Sequence, residues 1–316
     1  MIFISRTETD PYFNLAAEEY AVKNIDEDVV MLWQSSNSVI IGKHQNAVKE
    51  VNVPFVFKNN IPVIRRISGG GTVFHSLGNL NYSVITTHKN RNDLVNFGKF
   101  TKTIVDFLKR YGVEVIFEGK NNLRIDGKKF SGNSAHVFKN RIIHHGTILF
   151  DADLELLETV ILPTGAVVSG KAPGSVRTTV TSLKRVLNNF EDVNMFRFEF
   201  EKFLFNYHAI TKSRGFTAKE KSGIKKLAAE KYRTPEWTWG YSPDYIFENK
   251  KVTGYGEFSV FVKVSKGIIS DIRLFFEGKR LINVENRLSG KMHEPQTIFN
   301  ELSGNMFVET ITEVLF

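Results

Sequence analysis

Apolar and polar positions change period several times along the chain, which predicts strands interleaved with a few helices. Asp10-Pro11 predicts a helix start, with Asp as N-cap and Pro in the first turn of YFNLAAEEYAVKN. Apolar residues at helical spacing from Leu94 predict a second helix that ends at Gly112. Alternating runs predict a strand pair, VVMLWQ and SVIIGK, and further strands in VEVIFE, NLRIDGKKFSG and RIIHHGTILF. We therefore expect an α+β fold, with mixed sheets and flanking helices.

The pattern changes towards the end of the chain. Residues 188–231 are helical in spacing, in two runs, and the aromatic stretch EWTWGYSPDYIF follows. KVTGYGEFSVFVKVSKGIISDIRLFF then predicts antiparallel strands with glycine-containing turns, and RLINVENRLSG and PQTIFNELSG predict short helices. We place a boundary near Phe247, which gives an N-terminal domain at 1–246 and a small α/β domain at 247–316.

Composition narrows the possible partners. The 316 residues carry 42 Lys and Arg against 34 Asp and Glu, a net charge of +8, which favours anionic ligands. No dense basic run interleaved with aromatic residues occurs, so nucleic acid is not an expected partner. No apolar run reaches the roughly 18 residues of a membrane helix, and the start lacks a signal-peptide pattern, so we expect a cytoplasmic protein with no membrane partner. The 27 phenylalanines fall at core-like spacings and are interpreted as packing.

Three consecutive glycines, Gly69 to Gly71, stand in RRISGGGTVFHSLGNLNYS beside two arginines. Bare backbone can approach a ligand closely and turn its N–H groups towards an anion. VIRRIS and NLNYSVIT predict two strands joined at the glycines. The spacing fits neither the Walker pattern nor the dinucleotide fingerprint. A flexible turn is the alternative interpretation of the same triplet.

A second cluster lies in KNNLRIDGKKFSGNSA. Asp126-Gly127 predicts a hairpin turn, so Lys128 and Lys129 begin the returning strand with side chains on opposite faces, and Lys129 is predicted to point inward. The adjacent histidines of HHGT point to opposite faces for the same reason, which argues against a metal site there. SGKAPGSVRTTVTSL has the composition of a surface loop or a mobile lid.

In this order, NLAAEEY, IIGKHQN, RRISGGGTVFHSLGN, NNLRIDGKKFSG, HHGT and SVRTTVTSL closely resemble the lipoate–protein ligases over nearly the whole chain. The resemblance implies a biotin/lipoate protein ligase-like catalytic domain followed by an accessory domain. It implies Lys129 as the catalytic residue, which contacts both a carboxyl group and an α-phosphate. The implied ATP and adenylate contacts are Arg66, Gly71, Thr72, Val73, Phe74, Lys129 and Arg177. The implied lipoate contacts are Arg66, Ser68, Gly69, Gly70, Gly71, His75, Lys129 and His145.

The resemblance also implies an activity: free lipoate is activated by ATP to lipoyl-AMP and transferred to a lysine of a carrier protein. The implied partners are lipoyl domains of 2-oxoacid dehydrogenase E2 subunits and the glycine-cleavage H protein. Mg²⁺ is expected to arrive with ATP rather than in a protein cage. Many members have Asp where this chain has Asn122, so that position is left open. An octanoyl- or lipoyl-transferase is the alternative, but such relatives generally use a cysteine acyl-enzyme, and this chain has no cysteine. The loop pattern of biotin–protein ligases differs from RRISGGG.

Overall fold

The computed structural model describes residues 1–88, 95–119, 121–162 and 164–316. Within these ranges the strands form three sheets. The largest contains, from edge to edge, β12 (Lys212–Arg214), β1 (Ile2–Ser5), β2 (Val29–Trp33), β6 (Asn79–Thr87), β10 (Arg141–Leu149), β9 (Lys128–Phe138), β8 (Asn122–Ile125) and β7 (Ile116–Glu118). The smallest contains β4 (Val63–Arg65), β3 (Ser38–Ile41) and β5 (Val73–His75). The third contains β11 (Val167–Gly170), β13 (Tyr245–Thr253), β14 (Gly256–Ser265), β15 (Ile268–Phe276) and β16 (Lys279–Arg280). The α+β prediction is confirmed.

The helices begin and end where local chemistry favours it. They are α1 (Pro11–Asn24), α2 (Ala47–Glu50), α3 (Val53–Lys58), α4 (Phe97–Lys109), α5 (Leu154–Val160), α6 (Val193–Tyr207), α7 (Ala218–Leu227), α8 (Ile282–Leu288), α9 (Pro295–Glu301) and α10 (Val308–Val314). The Asp10 carboxylate accepts the Tyr12 N–H at 3.0 Å, as predicted. Gly112, at φ +73°, follows α4, although the predicted start at Leu94 lies outside the described residues. No helix in the described part is long and apolar enough to span a bilayer.

Helices cover both faces of the eight-stranded sheet. On one face α4 and α6 pack around Phe107, whose ring centroid lies 4.9 Å from that of Phe200 and 5.6 Å from that of Phe196. On the other face α1 and α7 bury residues such as Ala17 and Ile224 against β1 and β2. These contacts confirm the interpretation of these phenylalanines as core packing. Each large aromatic ring removes much apolar surface from water.

The C-terminal sheet is connected to the rest of the chain more closely than the predicted boundary suggests. Strand β11, at 167–170, pairs antiparallel with β13 and so belongs to this sheet. One apolar core includes both Val39 of the three-stranded sheet and Phe247 of β13. The division at 246/247 stays a prediction, and any independent unit formed by 247–316 would lack β11.

Arg65 adds a second connection. Its guanidinium is buried and donates to the carbonyl oxygens of Lys43 at 3.0 Å, Gln45 at 2.6 Å and Trp237 at 3.0 Å, and to Ser242 Oγ at 2.9 Å. Burial lowers the pKa of Arg65 to about 10. The first arginine of RRISGGG therefore fastens the IIGKHQN loop to the segment that leads into the C-terminal sheet.

Two predicted strand pairings are wrong. VVMLWQ forms β2, which pairs with β1 and β6, whereas SVIIGK forms β3, which pairs with β4 and β5 in a different sheet. VIRRIS and NLNYSVIT form β4 and β6, which also lie in different sheets, and β5 stands between the glycines and β6. Alternation predicts that a strand exists, but core packing selects its neighbours. The short strands β1, β5, β11, β12 and β16 and the short helices α2, α3, α5 and α10 were not predicted.

Candidate active site

A cavity of about 470 Å³ opens between the glycine triplet, the hairpin strand β9 and the inner face of β10. Side chains of α1 and β2 close its inner end, and the segment 173–176 borders its mouth. The lining combines apolar residues with convergent polar ones, which is typical of small-molecule sites. The lining includes Glu18, Gly70, Gly71, Thr72, Val73, His75, Asn81, Asn122, Lys129, Ser134, His145, Thr147 and Ser175, together with Arg66.

Arg66 supports the glycine triplet from inside the fold. Its Nη2 donates to the carbonyl oxygens of Gly69 at 2.6 Å and Gly71 at 2.8 Å, and its Nε donates to Ser68 Oγ at 3.0 Å. Burial lowers the pKa of Arg66 to about 10. Between these two carbonyls Gly70 adopts φ +89°, a conformation that residues with a Cβ rarely adopt. The triplet is thus a braced loop, and the flexible-turn alternative does not describe it.

A buried hydrogen-bonded chain runs from this loop to α1. His145 Nδ1 lies 2.9 Å from Glu18 Oε2, so that nitrogen carries the proton and donates it, and Nε2 accepts from Ser68 Oγ at 2.6 Å. Burial alone would raise the pKa of Glu18, but the neighbouring His145, the Ser83 hydroxyl and Arg6 hold it below its ordinary value. This chain fixes the His145 ring at the cavity wall.

Lys129 supplies a cation to the cavity. Asp126 and Gly127 both have positive φ, which forms the predicted tight turn, and the exposed Lys128 and the half-buried Lys129 then face opposite sides. Hydrogen bonds to residues 179–181 hold the Lys129 backbone in place. The Lys129 nitrogen lies 2.9 Å from Thr179 O. No hydrogen bond or ion pair of Lys129 Nζ occurs within the described residues. Burial, and then the charges of Arg124 and Arg66, lower the pKa of Lys129.

His75 forms part of the cavity floor. Thr147 Oγ1 donates to Asn81 Oδ1 at 2.7 Å and therefore accepts from His75 Nε2 at 3.0 Å. Burial lowers the pKa of His75 to about 3, so the ring is neutral. In the described part of the chain, His75 Nδ1 and Asn81 Nδ2 are buried without a hydrogen-bond partner. The floor therefore offers one acceptor and one donor to a bound molecule or water.

The structure brings together most of the predicted site residues. Gly70, Gly71, Thr72, Val73, His75, Lys129 and His145 line the cavity with Arg66, and Asn122 joins them. Ser68 and Gly69 lie directly beneath, bonded to Arg66.

Two predicted site residues lie apart from the cavity. The Phe74 side chain is buried in the core on the other face of β5 from Val73. Arg177 is exposed and donates to Ile161 O at 3.2 Å. Neither side chain lines the cavity, and their adenylate roles stay predictions.

Sequence reasoning missed several polar residues of the site. Glu18 is one of two consecutive, buried glutamates in α1, a helix with almost no polar face, and such an acidic pair among alanines is the signal that could have revealed it. Hydrogen bonds between residues distant in sequence join Glu50, Gln45 and Ser175 to the glycine loop, which consists of the glycine triplet and Thr72. Gln45 and Ser175 lie in the stretches IIGKHQN and SVRTTVTSL, but no local pattern assigns either residue, or Glu50, to the site.

Comparison with known proteins agrees with this arrangement. Residues 10–205 match the family model described as the lipoyl protein ligase A/B catalytic domain. Lipoate–protein ligase 1 of Staphylococcus aureus is 35% identical over 309 residues, which cover 96% of this chain and 94% of that protein. Lipoate-protein ligase LplJ of Bacillus subtilis is 33% identical over 312 residues, with the same coverages.

A solved structure supports the same assignment. The bi-partite lipoate protein ligase of Thermoplasma acidophilum, studied with its E2 lipoyl domain, superposes with a TM-score of 0.65 at 25% identity, covering 76% of this chain and 96% of that one. Fold and cavity thus define a ligase of the lipoate-handling class. The chain belongs to the lipoate–protein ligase family of enzymes.

Proposed function

We propose that this enzyme joins lipoate to AMP, with ATP as the donor, and then transfers the lipoyl group to a lysine of a lipoyl-accepting carrier protein. The observation that carries the proposal is the Lys129 ammonium group, half-buried in the cavity wall without an anionic partner among the described residues. A desolvated cation gains most when an anion joins it. A carboxylate and a phosphate that meet beside Lys129 would provide that anion.

Two chemical steps follow. In the first, a lipoate carboxylate oxygen attacks the α-phosphorus of ATP, the bond to the β-phosphate bridging oxygen breaks, and pyrophosphate leaves. Lys129 offsets the charge that develops on the phosphoryl oxygens, and the braced loop N–H groups add fixed dipoles. In the second, the carrier amine attacks the acyl carbon, the bond to the phosphate oxygen breaks, AMP leaves, and the amine loses a proton.

Arg66 takes a different part from Lys129. Its hydrogen bonds to Gly69, Gly71 and Ser68 hold the loop in place, so its contribution is orientation of the N–H groups. His75 stays neutral, with its pKa lowered to about 3 by burial, and serves as a hydrogen-bonding group rather than a second cation.

The accessory components are part of the same proposal. Mg²⁺ enters with the triphosphate, held mainly by phosphate oxygens and water, and the Asn122 amide oxygen in the cavity wall is a ligand type that magnesium accepts. Lipoyl domains of 2-oxoacid dehydrogenase E2 subunits, or the glycine-cleavage H protein, are the proposed acceptors. We propose the cytoplasm as the location of the reaction, because ATP is available there.

The test is an acceptor panel read by intact mass. Purified lipoyl domains and H protein, each lacking lipoate, are incubated with the enzyme, lipoate, Mg²⁺ and ATP. A lipoyl mass gained by an acceptor only when ATP is present supports the proposal. Transfer without ATP from a pre-lipoylated carrier would instead identify a transferase, for which the chain has no cysteine nucleophile.

A further inference from the structure

The Ser175 hydroxyl group occupies a hydrogen-bonding position of the glycine loop. Ser175 Oγ accepts the Thr72 N–H at 2.9 Å and the Gln45 amide N–H at 2.9 Å. It donates its own proton to Glu50, whose carboxylate also accepts the Ser175 N–H at 3.2 Å. One donor and two acceptor sites exhaust what a serine hydroxyl can offer, so this contact is fully formed.

The same three residues fix Thr72. Thr72 Oγ1 lies 3.0 Å from Gln45 Oε1 and 3.3 Å from Glu50 Oε2, and Gln45 Oε1 also accepts the Gly42 N–H at 2.7 Å. Glu50 is buried at the end of α2. The network therefore connects the IIGKHQN loop, the glycine loop and the segment at the cavity mouth.

The segment that carries Ser175 is attached at both ends. Before it, β11 pairs with β13, with Gly170 opposite Tyr245. After it, Thr179 O accepts the Lys129 N–H, and the Thr181 N–H donates to Lys129 O, both at 2.9 Å. Between these anchors the segment crosses the cavity mouth, and Ser175 makes its hydrogen bonds to the glycine loop.

We propose that Ser175 and Glu50 form a closing contact that occupies the phosphate-binding N–H of Thr72 in the ligand-free enzyme, so that nucleotide binding must displace the Ser175 hydroxyl. The proposal rests on the proposed function, because it takes the glycine loop as the phosphate site. A phosphate oxygen and the Ser175 hydroxyl oxygen compete for one donor. Glu50 is a positioning residue here, since it acts through Ser175.

The charge of Glu50 adds to the competition. A phosphate oxygen that replaced Ser175 Oγ at Thr72 would stand beside the Glu50 carboxylate, and two anions at that distance repel. Nucleotide therefore binds only when the segment and Glu50 have moved away from Thr72. Because only a small fraction of molecules is in this open conformation, the apparent nucleotide affinity is reduced. Removal of the contact raises that fraction.

If Ser175 and Glu50 instead stabilise the conformation that binds nucleotide, the expected change in affinity has the opposite direction. Ser175→Ala and Glu50→Gln should then weaken nucleotide binding. Under the closing-contact proposal both variants should bind more tightly, by roughly two- to tenfold, the factor by which one net hydrogen bond shifts an equilibrium. The two hypotheses predict opposite changes in nucleotide affinity, so the direction of the measured change decides between them.

The experiment is a calorimetric titration of the full-length enzyme with lipoate and α,β-methylene-ATP, whose methylene bridge prevents pyrophosphate release. Ser169→Ala, in the adjoining strand β11, and Glu158→Gln are matched controls, since both side chains are exposed and should leave affinity unchanged. A lower Kd in both Ser175→Ala and Glu50→Gln supports the closing contact. An equal or higher Kd in either variant overturns it.

Hydrogen exchange of the ligand-free enzyme separates this proposal from the proposed function. The Thr72 amide should exchange faster in Ser175→Ala and Glu50→Gln than in the wild-type chain. Equal rates would refute the closing contact. If the wild-type enzyme binds no nucleotide, the proposed function fails, yet the exchange difference still decides whether Ser175 protects Thr72.

Discussion

Replacement of Lys129 by Met tests the central electrostatic argument. Met keeps the unbranched stem and deletes the charge. Two unit charges about 4 Å apart in a medium of effective dielectric constant about 20 attract by about 4 kcal/mol. At about 1.4 kcal/mol per tenfold change in rate, loss of that attraction in the transition state slows adenylate formation by roughly 10²- to 10³-fold.

The structure adds a second, opposite expectation for stability. Burial lowers the pKa of Lys129, which means that the folded chain disfavours its charged form. Lys129→Met should therefore unfold at a Tm no lower than the wild-type chain, although it is nearly inactive. Loss of activity together with a retained or raised Tm is the signature of a charge kept for function.

Pyrophosphate release with lipoate and ATP measures the first expectation, and thermal unfolding followed by circular dichroism measures the second. Lys128→Met is the matched control, because Lys128 is the exposed neighbour on the other face of β9. Its activity should stay within about twofold of wild type. Equal losses in the two variants, or a loss below about tenfold in Lys129→Met, would refute the reasoning.

Three further predictions concern the supports of the site and the core of the C-terminal sheet. In Gly42→Ala the new Cβ would overlap Gly70 O, so the glycine loop must shift, and lipoate affinity measured by calorimetry should fall by about a hundredfold in a folded protein. Unchanged affinity would show that the loop tolerates displacement. Arg65→Lys should lower the free energy of unfolding by about 3 kcal/mol, measured with urea, because lysine cannot reach all the carbonyls that the guanidinium bridges, and each buried acceptor left unsatisfied costs about 1–3 kcal/mol. A loss under about 1 kcal/mol contradicts this. His293 is buried beside Tyr245 of β13, whose hydroxyl oxygen lies 2.6 Å from His293 Nδ1. Burial lowers the pKa of His293 from 6.5 to about 4, so its stabilisation is complete above about pH 6.5 and is lost as pH falls towards 4, by up to about 3 kcal/mol. A His293→Gln variant should lose part of that pH dependence, and an identical urea profile from pH 7.5 to 5 in both proteins would refute it.

Local sequence chemistry determined many of the elements and the glycine and lysine parts of the site. The Asp10 cap, the Asp126-Gly127 turn and the opposite faces of Lys128 and Lys129 follow from rules that act within a few residues, and all three are confirmed. The glycine triplet beside arginines pointed to a ligand loop because backbone permissiveness is a property of the residues themselves.

Tertiary structure alone decided how these parts combine. Alternation along β2, β3, β4 and β6 could not show that they belong to two sheets, because a strand's pattern specifies its buried face but not its neighbour. The adjacent arginines Arg65 and Arg66 look equivalent in sequence. Arg65, however, connects distant loops, whereas Arg66 binds the carbonyl oxygens of the glycine triplet. Glu50 and Ser175 meet although they are 125 positions apart in sequence. Such contacts arise from the packing of the whole chain, and no local pattern encodes them.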